Sequence, residues 1–203
     1  MLIKTTIFKL FIFFLIIPFI IFSQKSKDTE IWEPIPKEVY SSSDSSPPND
    51  AIILFDGSDL SKWTAKWSNK ESGWQINEDG SVTVVLDGSG GIKTKESFGS
   101  VQLHIEWKTS EDTSHKNQKR SNSGVFLQNR YEIQILDSYK SPTYVNGQAG
   151  SVYKQYIPLV NSTRKPGEWQ SYDIIFDAPK FNSKGTKIKS GYFTVFHLSL
   201  IHI

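Results

Sequence analysis

Residues 100–109 read SVQLHIEWKT and alternate without a break. Val101, Leu103, Ile105 and Trp107 fall on one face, and Gln102, His104, Glu106 and Lys108 on the other. A period of two is the mark of a β-strand that buries one face. The runs GVFLQN (124–129), YEIQIL (131–136), QSYDIIFDA (170–178) and GYFTVFH (191–197) also read as strands. The stretch 73–94, GWQINEDGSVTVVLDGSGGIKT, reads as strand, Asp-Gly turn, strand, Gly-rich turn, strand, and AIILF (51–55) as a short apolar run closed by the turn residues DGSD. EDTSHKNQKRSNS (111–123) is a polar loop. No stretch keeps a helical period beyond a turn or two, and no internal repeat appears. Regular short strands separated by Gly-rich turns predict an all-β antiparallel sandwich.

The N-terminal part follows a different pattern. Lys4 and Lys9 precede thirteen uncharged residues, LFIFFLIIPFIIF (10–22). That is shorter than the roughly twenty residues of a bilayer span. It suits a secretory signal peptide over 1–23, with Ser23 before a cut near Gln24. The expected location is periplasmic or secreted, without a membrane anchor after cleavage. Residues 24–49 end in SSSDSSPPN and have little to bury, so they read as an extended linker. The expected folded domain is 50–197. The last six residues, LSLIHI, match the translation of a sequencing-adapter end, so 198–203 are expected to be non-native and the fold incomplete at its C-terminus.

Composition narrows the chemistry. The 203 residues carry a net charge of +2, with acids and lysines interspersed, which gives no electrostatic footprint for nucleic acid. There is no Cys, which removes disulfides, thiolate metal sites, a cysteine nucleophile and a lipid-modified cysteine. No Gly-rich strand-to-helix turn offers a nicotinamide site.

AIILFDGSDLSKW, GSVQLHIEW, SNSGVFLQNRYEIQILDSY, NGQAGSVYKQYIPLVN and RKPGEWQSYDIIF together resemble the 3-keto-disaccharide hydrolases, also described as 3-keto-glucoside lyases and hydratases. The resemblance spans about 32–197. It implies a concanavalin-like jelly roll, an exported enzyme, and a strand FTVFH that continues into Asn-Gly where this chain has LSL. It also implies an oxidised sugar or glycoside as substrate, an upstream sugar 3-oxidoreductase in the pathway, and a possible divalent cation.

In YEIQIL, alternation puts Glu132 and Gln134 on a polar face and Tyr131, Ile133 and Ile135 on an apolar one. The polar face suits the concave side of a jelly roll. A β-bulge near Leu136 would bring Asp137 round to it. Three readings follow. The plainest is an exposed acid and a turn-starting Asp. A retaining glycosidase would need two carboxyls about 5–5.5 Å apart. The family 16 glucanases share this fold but carry an acid at the place of Gln134. The family resemblance implies elimination from a 3-keto sugar. There Glu132 or His104 would take the C2 proton, Gln134 or a cation would stabilise the enolate oxygen, and Asp137 would orient the base or hold the cation. His104 and Glu106, two residues apart on one strand face, are candidate metal ligands with Asp137. Asn122, Ser123, Gln148, Tyr153, Lys154 and Arg164 are candidate sugar contacts from turns and loops. Strand tryptophans Trp107 and Trp169 are expected in the core. The alternatives to elimination are a non-catalytic carbohydrate-binding module and a direct two-carboxylate glycoside hydrolase.

Overall fold

The computed structural model describes residues 26–43, 46–68, 70–85 and 90–201. The expected signal peptide, 1–23, lies outside the described residues. The chain divides into two units, Met1–Ile53 and Leu54–Ile203. In the first, the described residues form one 3₁₀ turn (Ser26–Thr29) and no strand, and Ile31, Trp32, Ile35 and Tyr40 are exposed. The run 51–55 is not a strand either, and Ile52 is exposed, because an apolar run without a pairing partner does not make a sheet. Among the described residues no helix is long and apolar enough to cross a membrane.

The second unit is an all-β antiparallel sandwich of jelly-roll type. Its strands in chain order are β1 (Trp63–Ala65), β2 (Gln75–Ile76), β3 (Val82–Thr83), β4 (Ile92–Thr94), β5 (Val101–Lys108), β6 (Ser123–Leu127) and β7 (Tyr131–Ile135), followed by β8 (Trp169–Asp177), β9 (Lys180–Phe181), β10 (Lys187–Lys189), β11 (Tyr192–His197) and β12 (Leu200–Ile201). The main sheet has the order β12-β11-β8-β5, antiparallel throughout. Leu198 and Ser199, both at positive φ, make the turn between β11 and β12.

The alternation read from the sequence fixes which face of this sheet is inside. Gln170, Tyr172, Ile174 and Phe176 of β8 are buried, while the intervening residues are half-buried or exposed. Val195 and His197 of β11 join them. The β6–β7 hairpin covers this inner face. Ile133 of β7 is fully buried in a cluster with Trp107, Tyr172, Ile174, Val195, Ala149 and Val152, and Val125, Leu127 and Ile135 pack against it. Each large apolar side chain buried there contributes roughly 1.5–3 kcal/mol. Tyr172 spans the core and donates its hydroxyl to the Gln134 carbonyl at 2.7 Å. Trp107 is core, as expected. Trp169 is not: as the first residue of β8 it falls on the outer parity, 42 % exposed, with the Lys108 ammonium 5.0 Å from its ring centre.

The segment 150–153 runs along the free edge of β7 as an irregular third strand. Gln134 N donates to Ser151 O at 3.0 Å, Gly150 N to Gln134 O at 3.0 Å, and Tyr153 N to Glu132 O at 2.9 Å. Val152 bridges Ile133. Both are core residues, so Tyr153 falls opposite Glu132 on the face away from the core.

Candidate active site

The non-core face of the hairpin carries the candidate site. Alternation turns Glu132 and Gln134 of β7, and Gly124 and Phe126 of β6, away from Ile133. Glu132 pairs with Phe126 across the ladder, and its carboxylate lies diagonally over Gly124. A Cβ at Gly124 would stand 2.7 Å from Glu132 Cγ and 2.9 Å from Cδ, so the side chain occupies space that only glycine leaves open.

Two walls flank Glu132. On one side Lys66, whose N–H donates to Gly91 O at 2.7 Å, holds its ammonium 4.0 Å from the Phe126 ring centre and 4.9 Å from that of the exposed Trp67. On the other side are Tyr144, Tyr153 and Lys154. The two tyrosine hydroxyls are 2.5 Å apart, and the Lys154 ammonium lies 5.4 Å from the Tyr153 ring centre and 5.8 Å from that of Tyr144. Partial burial pushes the Glu132 carboxyl above its ordinary value, opposed by the positive charge of Lys66. The hydrogen bond to Tyr153, then burial and nearby negative charge including Glu132, push Tyr144 up to about 12. A depression of about 470 Å³ lined by Asn117, Gln118, Pro142, Thr143 and Tyr144 adjoins the site and shares Tyr144 with it.

Of the residues named from the sequence, Glu132, Gln134, Asn122, Tyr153 and Lys154 come together here. Gln134 is fully buried, however, so it forms the floor of the site instead of lining an open cleft. Its Nε2 donates to Asn122 Oδ1 at 3.2 Å, and Asn122 Nδ2 donates to Gln118 O at 2.8 Å. Gln118 in turn donates to Thr143 Oγ1 (2.8 Å) and Gly147 O (2.9 Å), tying the floor to the loop that carries Tyr144. Gln148 is half-buried at the end of the 3₁₀ turn Val145–Gly147, in the base of that loop.

The other expectations need correction. The β6–β7 ladder has no register shift, β7 ends at Ile135, and Asp137 does not join Glu132. Asp137 is 1 % exposed and ion-paired with Arg120, whose Nε is 2.7 Å away. With Asp137 N donating to Arg120 O at 3.0 Å, the pair clamps the two ends of the hairpin. His104 and Glu106 lie on the outer face of the main sheet, with the whole core between them and Glu132, because alternation on β5 sends Leu103, Ile105 and Trp107 inward. His104 Nδ1 is 2.6 Å from Asp173 Oδ1 of the neighbouring strand, and both side chains are about half exposed. Ser123 pairs with Ile135 and so shares the parity of Val125, away from the Glu132 face. Arg164 donates to the Trp169 carbonyl at 3.0 Å at the start of β8, on the other sheet. His104, Glu106 and Asp137 therefore do not converge, and among the described residues no group of three or more His, Asp or Glu is arranged to hold a metal ion. His104, Glu106 and Asp137 as placed do not fit a shared divalent cation.

Sequence reasoning missed Lys66, Trp67, Phe126, Gln118 and Tyr144 as parts of the site. Only Tyr144 carried a usable signal, since it opens the same aromatic, Gly-containing loop as Tyr153.

The family model described as "3-keto-alpha-glucoside-1,2-lyase-like domain" matches residues 50–196. Among solved structures, a candidate glycosyl hydrolase from Parabacteroides distasonis is 43 % identical with a TM-score of 0.82; the match covers 88 % of this chain and 76 % of that one. A second candidate glycosyl hydrolase from the same organism is 20 % identical with a TM-score of 0.53, over 75 % of this chain and 70 % of that one, and shares the fold. No curated protein matches the chain.

Proposed function

The chain belongs to the 3-keto-alpha-glucoside-1,2-lyase-like family, and from that premise we propose that it cleaves 3-keto-glycosides by elimination followed by hydration. A ketone at C3 of a sugar acidifies the hydrogen on C2. Glu132 removes that proton, the C1 substituent departs from the enolate, and water adds to the unsaturated sugar. The net result is hydrolysis without a nucleophilic residue.

The observation that carries this reading is the position of Glu132 among its neighbours. Among the described residues of the hairpin and its flanking segment, Glu132 shares its face with Asn122, Gly124, Phe126, Gln134, Ser151 and Tyr153, none of them a carboxylate. Direct glycoside hydrolysis needs a second carboxyl about 5–9.5 Å away. Gln134 is an amide, and Asp137 is taken by Arg120. Burial raises the Glu132 carboxyl from its ordinary value, which makes it a stronger base for abstracting a proton. Lys66 and Lys154 supply positive charge for the enolate oxygen, and Trp67 and Phe126 offer apolar faces for a sugar ring. A ketone at C3 is made by oxidation of the parent sugar, so the reading calls for a sugar 3-oxidoreductase upstream. The uncharged run 10–22 after Lys4 and Lys9 supports export, and the proposal places the activity in the periplasm or outside the cell.

The test compares one aryl glucoside with its 3-keto form, following aglycone release and exchange of the C2 hydrogen in heavy water. Cleavage and exchange are expected with the 3-keto form alone. Glu132→Gln abolishes both, whereas His104→Gln retains them. Cleavage of the unoxidised glycoside would show a direct hydrolase, binding without release would show a carbohydrate-binding module, and full exchange by Glu132→Gln would refute the assignment of the base.

A further inference from the structure

Resting on that reading of Glu132, we propose that Tyr144 and Tyr153 form the general acid of the site, with Tyr153 protonating the departing glycosidic oxygen and Tyr144 holding it in place. Elimination removes a hydrogen from C2 and a substituent from C1, which are adjacent atoms. The base and the acid must therefore be near neighbours on one surface. Tyr153 meets that requirement through the register: Val152 bridges Ile133, so Tyr153 stands directly opposite Glu132 on the same face, and its N–H donates to the Glu132 carbonyl. Side chains directly opposite in an antiparallel pair are about 5 Å apart at Cβ.

The surroundings of the pair are built for an acid. The two hydroxyls share one 2.5 Å hydrogen bond. Either hydroxyl can donate in that bond; the proposal has Tyr144, pushed up to about 12, as the donor to Tyr153 Oη. That leaves the Tyr153 proton to be given away. The phenolate left behind accepts the Tyr144 hydrogen bond and sits beside the Lys154 ammonium. Lys154 holds a left-handed backbone, φ 58°, secured by its N–H to Asn146 O at 2.8 Å, and backbone strain of this kind concentrates where a side chain must be aimed. Gly147 leaves room for the Tyr144 ring, because a Cβ there would stand 2.7 Å from Cδ2. Tyr144 also lines the adjoining depression, which places the leaving group on that side.

The proton balance closes. In elimination Glu132 gains the C2 proton, the C1–O bond breaks, and the leaving oxygen takes the Tyr153 proton. In hydration the Tyr153 phenolate takes a proton from the water that bonds to C1, and Glu132 returns its proton to C2. The protein is restored and one water is consumed. An acid matters only for aglycones that leave poorly, so the arrangement points to 3-keto-glycosides of alcohols and sugars more than of phenols.

The experiment uses 3-keto-glucosides of 4-nitrophenol, phenol and methanol with the full chain. Tyr153→Phe and Tyr144→Phe are each expected to lose about 100-fold in kcat on the methyl glycoside and far less on the nitrophenyl one, so the dependence of rate on leaving-group basicity steepens. C2 exchange per cleavage event rises, because deprotonation continues while expulsion lags. An equal loss on all three aglycones with an unchanged exchange ratio would overturn the proposal, since a merely structural role slows every substrate alike. Absence of exchange in the wild-type protein is a different failure: it sinks the reading of Glu132 as base and the acid with it.

Discussion

Gly124→Ala separates the site from the fold. The added Cβ would come within 2.7 Å of Glu132 Cγ and 2.9 Å of Cδ, whereas carbon atoms in contact prefer about 3.5–4.0 Å. The carboxylate must therefore move by about 1 Å. Glu132 is half-buried and has room to turn outward, so the distortion costs about 0.5–1.5 kcal/mol, typical of an off-rotamer side chain. Against it stands a gain of roughly 0.5–1 kcal/mol, because alanine loses less backbone freedom than glycine in a strand. Gly124 is not among the glycines at positive φ, so the backbone itself raises no objection. The two contributions nearly cancel, and the melting temperature is expected to stay within about 4 °C of wild type. Activity has no such compensation: a displacement of about 1 Å at a reacting group costs about 100-fold. Thermal unfolding by circular dichroism, run beside cleavage of a 3-keto-glycoside, reads both quantities. Unchanged activity would show that the position of Glu132 over Gly124 is irrelevant to the chemistry. A loss of several kcal/mol in stability would show that the hairpin cannot yield as described.

Lys66→Met removes the charge that opposes the effect of burial on Glu132, so the carboxyl should titrate at still higher pH. Because the base works deprotonated, the acid limb of the kcat/KM profile should move upward, and a limb that stays put or moves down contradicts the pairing. Arg120→Met leaves the Asp137 carboxylate buried without its partner, which costs about 3–5 kcal/mol. A melting temperature lowered by about 10 °C is expected, and a drop of only a degree or two would show that water or another group replaces the arginine.

Long alternating strands made most of the fold legible. β5, β8 and β11 each repeat the period of two often enough to state which residues face inward, and the burial of Gln170, Tyr172, Ile174 and Phe176 follows it. Strands of two or three residues, such as β1 and β9, carry too few positions for a period to show. The Glu132 face was legible for the same reason as the core: Ile133 and Gln134 are neighbours and must point oppositely. His104 was misassigned because alternation orders the two faces of one strand, yet does not say on which side of the sandwich a polar face lies. Asp137 was misread because its partner, Arg120, lies 17 positions away across the hairpin, beyond any local pattern. Lys66 and Tyr144 reach the site from separate segments, and only the folded register brings them to Glu132.

That register also explains why one carboxylate suits this site. The β7 backbone is held on three sides: by the β6 ladder, by the segment 150–153, and by the Tyr172 hydroxyl on the Gln134 carbonyl. A side chain on such a strand is fixed well enough to act as a base, and the second acid that a direct hydrolase would require is spent on closing the hairpin. The polar groups that remain near Glu132 are hydroxyls, amides and ammoniums, which can stabilise negative oxygen and deliver protons. A substrate whose C2 hydrogen is already acidified by a neighbouring ketone needs no more than that. The same surroundings would leave an unoxidised glycoside, whose C2 hydrogen is not acidic, without a route to cleavage. On the proposed reading, selectivity for oxidised sugar would follow as much from Gln134 being an amide and Asp137 being paired with Arg120 as from the groups that face the substrate.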